Sequence, residues 1–323
     1  MNTYNNYSRL KKMRNDNECL FKGIIIQCGS QGKHKTEENH LIPKSSYLER
    51  ISYGEKVLVF DFENRDYIKK NGRKLVERNI KKANTFRVLC GAHDKYLFDE
   101  IENGKVFDEN NKKQLFQFAL RAFIFSLSEK MMKDNFENIM KDDVSNKVAK
   151  VNLKIDNERL ECYKSLLQNQ EWDGIEAKVI KLNRKSNFIS CVYTKPNYGF
   201  VFPIRFTGCG ISFNIFPDND RTIIILSYLK EDIMAKDAER YCNKLVNLAE
   251  KNEEKFVRYM NKFIAAFDHN IAICPAFWEN LNEKEQKNFY KIAHIFPKCK
   301  TFFSGCIGFI TLKLKKNAPK LIS

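Results

Sequence analysis

The sequence predicts an α+β protein: an N-terminal module backed by a buried helix, then a C-terminal α+β domain of antiparallel hairpins and helices. Three observations carry that expectation. Short β-branched runs alternate with helical patterns before residue 108. One apolar run, Leu115 to Leu127, is hydrophobic nearly all round. Beyond residue 150, alternating runs flank turn residues and give way to amphipathic helical patterns. The expected division is an N-terminal module at 1–108, a scaffold helix and linker at 109–150, and the C-terminal α+β domain at 151–323.

Taken in order, "LFKGIIIQC" (20–28) and "KVLVFDF" (56–62) are short, β-branched and bounded by turn residues, so both read as strands. Between them "IPKSSYLERI" offers Ser45 or Ser46 as a helix cap, with Leu48 and Ile51 on one face. A helix begins near Asp94 and has Gly104 as its stop. "NKKQLFQFALRAFIFSLSEKMMK" (111–133) reads as a buried scaffold helix, because its apolar part is too short for a bilayer and contains Gln117 and Arg121. Residues 134–150 show no firm pattern, which puts a boundary there.

The remainder has another texture. "EAKVIKLNRKSNFISCVYTK" gives two alternating runs around Asn183 to Asn187, and "GISFNIFPDNDRTIIILSYL" gives two more around Pro217 to Asp220. Each pair predicts an antiparallel hairpin. "NYGFVFPIRF" (197–206) reads as a core strand. Helical patterns follow at Ala238 to Phe267, with a break near Glu250, and at Glu283 to Ile295.

Charge narrows the function. A net charge of +16 on 323 residues attracts polyanions, so DNA or RNA is the expected partner. Residues 64–82 concentrate it, with Lys69, Lys70, Arg73, Lys74, Arg78, Lys81 and Lys82 as candidate phosphate contacts. No apolar stretch follows the first charges, so the expectation is a cytoplasmic chain without a membrane association. A protein partner would use the C-terminal half, and the sequence does not specify an oligomeric state.

In a reducing compartment the ten cysteines mean metal, catalysis or core filling rather than disulfides. Cys162, Cys191, Cys209, Cys242, Cys274, Cys299 and Cys306 lack partners at ligand spacing and read as filling. His269 and His294 are lone histidines on helical patterns. "GCG" and "YGEK" are too short for phosphate loops, and Ser30 and Ser45 have no positioned base.

The informative segment is "FRVLCGAHDKYLF" (86–98). Zinc takes four thiolate or imidazole ligands, commonly two from each of two turns, and Cys90-x2-His93 supplies one such pair. Cys28, at a strand end before Gly29, is the favoured upstream partner. Cys19 or His34 supplies the fourth ligand.

"NHLIPKS" (39–45), followed some fifty residues later by "LC-x2-HD", resembles the zinc-bearing HNH, or ββα-metal, endonuclease motif. "NTFRVLCGAHDKYLFDEIENG" with "QLFQFALRAF" behind it looks like a family of uncharacterised bacterial HNH-like proteins, some associated with antiphage defence. The resemblance spans about residues 17–133. It implies a ββα-metal-like N-terminal module, with structural Zn²⁺ and catalytic Mg²⁺ or Mn²⁺. His40 would be the general base and Asn84 the middle Asn that orients it. Asn39 stands where the family has a metal-binding aspartate, and Asp94 where it has the final metal-binding histidine; together they would hold the catalytic cation. The expected function is a metal-dependent nuclease. The alternative is an inactive zinc-stapled protein that binds nucleic acid or senses phage.

Overall fold

The computed structural model describes residues 18–28, 36–61, 74–140, 143–194, 210–266, 270–299 and 321–322. The β-branched and aromatic runs form nine strands among them: β1 Asn39–His40, β2 Lys56–Phe60, β3 Leu75–Asn79, β4 Thr85–Phe86, β5 Ile175–Leu182, β6 Phe188–Thr194, β7 Ile211–Asp218, β8 Arg221–Leu229 and β9 Ile271–Ile273. β1 and β4 make a two-stranded ribbon, and the other seven make one sheet in the order β3-β2-β9-β6-β7-β8-β5. Every neighbouring pair in that sheet is antiparallel.

Both faces of the sheet are covered, which explains why its central strands are almost continuously apolar. In β8, Ile223 and Ile225 join one hydrophobic cluster while Ile224 and Leu226 join another. In β2, Val57 and Val59 face the first cluster, and Leu58 and Phe60 the second. This is the period of two that pleating imposes.

The first cluster takes in the N-terminal elements together with α2, Lys112–Met140, and α3, Asp143–Gln168. The second takes in α4, Ala235–Lys251; α5, Glu253–Ala266; α6, Pro275–Glu279; and α7, Glu283–Cys299. The apolar run in α2 is buried along Leu115 to Leu127, as expected. Two polar side chains of β7 tie it to the sheet: Ser212 Oγ donates to the Ala119 carbonyl at 3.1 Å, and Asn214 Nδ2 to that of Phe118 at 3.3 Å. Among the described residues, no helix is long and apolar enough to cross a membrane.

The structure corrects some local expectations. β5 and β6 do not form a hairpin with each other. β5 pairs with β8 and β6 with β7 and β9, so two strands separate them. Residues 183–187 span three strand spacings, about 14 Å, well within reach of the connection. Thr222 Oγ1, at the start of β8, holds this crossing by donating to the Arg184 carbonyl at 2.5 Å. The β7–β8 hairpin does form, with Asn219 at φ 53° in its turn.

The segment after Pro43 is a π-helical turn over Lys44–Leu48 with no side-chain cap. The Pro43 carbonyl accepts from both Tyr47 and Leu48 N–H, at 3.1 and 3.3 Å, so the widened turn supplies what a serine cap would have. The helix containing Asp94, α1, covers Gly91–Leu97 and stops before Gly104. Residues 134–150 are helical through Met140 and again from Asp143; no Gly or Pro interrupts 112–168, which favours helix despite the absent apolar pattern. The break between α4 and α5 falls at Asn252, close to the expected Glu250. "NYGFVFPIRF", His34, His269, Lys69, Lys70 and Arg73 lie outside the described residues.

Candidate metal centre and the adjoining polar site

Cys90 is the extended residue from which α1 begins, and its carbonyl accepts the Asp94 N–H at 2.9 Å. One turn along, His93 therefore faces the same side as Cys90. The strand expected at 20–28 is instead a succession of tight turns, with Lys22 N–H donating to Cys19 and Ile24 N–H to Phe21. These turns return the chain so that Cys19 and Cys28 both reach His93, which resolves the wide spacing between the two cysteines.

Cys19, Cys28, Cys90 and His93 are all buried, and their donor atoms lie within 4.8 Å of one another. The three Sγ atoms stand 3.5, 3.5 and 3.2 Å from His93 Nδ1. A tetrahedral zinc with bonds of about 2.3 Å to sulfur and about 2.0–2.1 Å to nitrogen sets an S···N edge of about 3.6 Å, so the donor set and its spacing fit zinc. The cluster can hold a metal ion of this kind, with Cys19 as its fourth member among the described residues.

Burial, with the neighbouring Cys19 and Cys90 thiols, pushes the Cys28 thiol up to about 12. Several thiolates coexist there only against a positive charge. On the other side of the ring, His93 Nε2 donates to the Ile24 carbonyl at 3.0 Å, which leaves Nδ1 free of its proton for a metal.

The β1–β4 ribbon sits beside this cluster, with Asn39 opposite Phe86 and His40 opposite Thr85. His40 is half-buried, and its Nδ1 faces the Ala83 carbonyl at 3.3 Å. A carbonyl only accepts, so Nδ1 carries the proton and Nε2 keeps its lone pair. Burial lowers the His40 pKa below the usual histidine value, partly offset by the Ala83 bond and the charge of Glu102.

The two asparagines do something other than expected. Asn84 adopts φ 49°, its carbonyl accepts the Leu41 N–H at 2.9 Å, and its Nδ2 donates to the Ile271 carbonyl at 3.2 Å. The carbonyl at His40 thus belongs to Ala83, one residue earlier. Asn39 is buried, its Oδ1 accepts the Leu89 N–H at 3.2 Å, and its amide favours the charged form of the Asp94 carboxylate. With its oxygen so engaged, Asn39 ties the ribbon to the segment that enters α1 and is not an open oxygen ligand.

Asp94 does lie at this site, its pKa raised by burial and pulled back by Arg121. Two further residues stand there that residue spacing did not single out as functional. Glu102 Oε1 is 2.5 Å from Arg121 Nη1, and Asp94 Oδ1 is 3.9 Å from Arg121 Nη2. Arg121 is 1% exposed and lies 4.0 Å over the Phe98 ring. An arginine inside the apolar run of α2 was the available signal for it. Asp94 and Glu102 are therefore both carboxylates facing Arg121, whereas Asn39 brings no charge.

Of the candidate phosphate contacts within the described residues, Lys74, Lys81 and Lys82 are exposed around β3, and Arg78 lies 3.7 Å from Asp61. The chain matches no family model, no curated protein and no solved structure.

Proposed function

We propose that the chain is an HNH-like, metal-dependent nuclease with a ββα-metal module at its N-terminus, acting in antiphage defence as the resemblance implies. The observation that carries this reading is His40: a neutral, half-buried imidazole with its Nε2 lone pair free, on a two-stranded ribbon that leads into the helix bearing Asp94. Zinc at Cys19, Cys28, Cys90 and His93 would staple the loop to the start of that helix.

In this mechanism His40 Nε2 takes a proton from water as the water oxygen bonds to phosphorus. The bond from phosphorus to the sugar oxygen breaks, and that oxygen leaves with the electron pair and is protonated by solvent. A catalytic Mg²⁺ or Mn²⁺ would be held by Asp94 and Glu102, and it would supply charge neutralisation at the phosphate. Asn39 fixes the segment entering the helix against the ribbon, and the Ala83 carbonyl fixes the His40 tautomer. Lys74, Lys81 and Lys82 hold the nucleic-acid backbone without reading its bases.

Arg121 favours a second reading, an inactive zinc-stapled protein that binds nucleic acid, because its guanidinium already lies against both carboxylates. Cleavage of plasmid DNA and structured RNA in Mg²⁺ or Mn²⁺, with His40→Ala as control, separates the two. Cleavage lost in the variant at unchanged zinc content supports the nuclease; retention of zinc and nucleic-acid binding without cleavage supports the second reading.

A further inference from the structure

Burying a guanidinium is costly unless charge and hydrogen bonds compensate it, and Arg121 is compensated unevenly. It has an oxygen of Glu102 at 2.5 Å and one of Asp94 at 3.9 Å, yet Nε, Nη1 and Nη2 lack a well-directed hydrogen bond. The buried Asp94 Oδ1 likewise has no hydrogen-bond donor. These groups attract one another as charges without the forked geometry that arginine makes with a carboxylate in a permanent structural pair. Two carboxylates also flank that buried positive charge near His40, and carboxylate oxygens are the ligand type that a hard divalent cation takes.

We propose that Arg121 is a built-in competitor for a divalent-cation site formed by Asp94 and Glu102, holding that site closed until the guanidinium is displaced. The charges explain the need for such a device. Asp94, Glu102 and Arg121 sum to a single negative charge, so a divalent cation entering alongside Arg121 is opposed by it, and one replacing Arg121 is not. Asn39 cannot restore the lost attraction, because its oxygen is held by Leu89 N–H. The inference rests on the nuclease reading for its biological meaning, but cation binding is measurable without cleavage.

The test is Mn²⁺ titration of the full-length, zinc-loaded chain, followed by the paramagnetic resonance of free Mn²⁺. Wild type is expected to bind weakly. Arg121→Gln and Arg121→Met, each checked for one zinc and cooperative unfolding, are expected to bind at least about tenfold more tightly, a difference of about 1.4 kcal/mol. Adding Glu102→Gln to either is expected to abolish the gain. A folded Arg121 variant with wild-type Mn²⁺ affinity overturns the proposal, as does a gain that survives Glu102→Gln. Wild-type protein that binds Mn²⁺ as tightly as a sensor-type calcium site, about micromolar, overturns it too, whether or not the variants fold. If Mn²⁺ tightens as expected but no variant cleaves nucleic acid, the inference stands and the nuclease reading falls.

Discussion

His93 donates from Nε2 to the carbonyl oxygen of Ile24 at 3.0 Å, while its Nδ1 faces three thiols. The hydrogen bond selects the tautomer, so the loop that carries Cys19 and Cys28 also orients the one imidazole of the cluster.

Removing the metal should therefore release the loop and α1 together. Structural zinc contributes on the order of 10 kcal/mol to small metal-dependent folds, and part of that is expected here. Chelation, or His93→Ala, is predicted to lower the unfolding midpoint and to expose the 18–28 backbone to hydrogen exchange. Unchanged exchange protection after zinc removal would show that the cluster is core packing alone.

Ile25 sits next to that carbonyl at φ 62°, a left-handed conformation in which a β-branched side chain is strained. It is 40% exposed, so replacing it gives up only part of the packing of a buried isoleucine. Ile25→Asn is predicted to stabilise the protein by about 1 kcal/mol, read as a rise in the denaturant midpoint at constant slope. A fall in the midpoint would mean the isoleucine is favoured there.

The pH dependence follows from His40. Its folded pKa lies below the unfolded histidine value of about 6.5, so the neutral form prevails at pH 7. The unfolded chain gains its proton first as pH falls, so the contribution of His40 to stability is present above about 6.5 and is lost as pH drops towards its folded pKa. Cleavage should decline in the same direction. Proton-carbon correlation spectra of the His40 ring should titrate below pH 6.5 in wild type; a titration above that value would contradict the assigned environment.

The charge network between α2 and α3 is a separate source of stability. Asp156 is fully buried, accepts from Lys130 at 2.5 Å and from Arg159 at 2.9 Å, and Arg159 also reaches Asp232 at 2.5 Å. Asp156→Ala leaves Arg159 buried with one partner fewer and is predicted to cost about 3–5 kcal/mol in thermal or denaturant unfolding. A loss under about 1 kcal/mol would mean solvent replaces the carboxylate.

The sequence made some of this legible and not the rest, for physical reasons that differ by residue. Cys90 and His93 share a helical turn, so their spacing alone brings them together. Cys19 and Cys28 meet only because 20–28 folds into turns, which its β-branched composition hides. Asn84 kept its backbone place, but its amide is drawn to Ile271, 187 residues away. Glu102 and Arg121 meet through the packing of α2 on the N-terminal module, a long-range contact with no local pattern. The β5–β6 error has the same origin: turn residues report that the chain reverses, not which strand will lie alongside.

The most direct test of the centre is zinc-edge X-ray absorption of the purified full-length protein. The account predicts one zinc per chain with three sulfurs at about 2.3 Å and one nitrogen at about 2.0–2.1 Å, converting to a sulfur-poor shell in Cys19→Ser. A shell of two sulfurs and two nitrogens, or a wild-type spectrum unchanged by Cys19→Ser, would place another residue in the cluster and contradict the arrangement on which the reading of His40 depends.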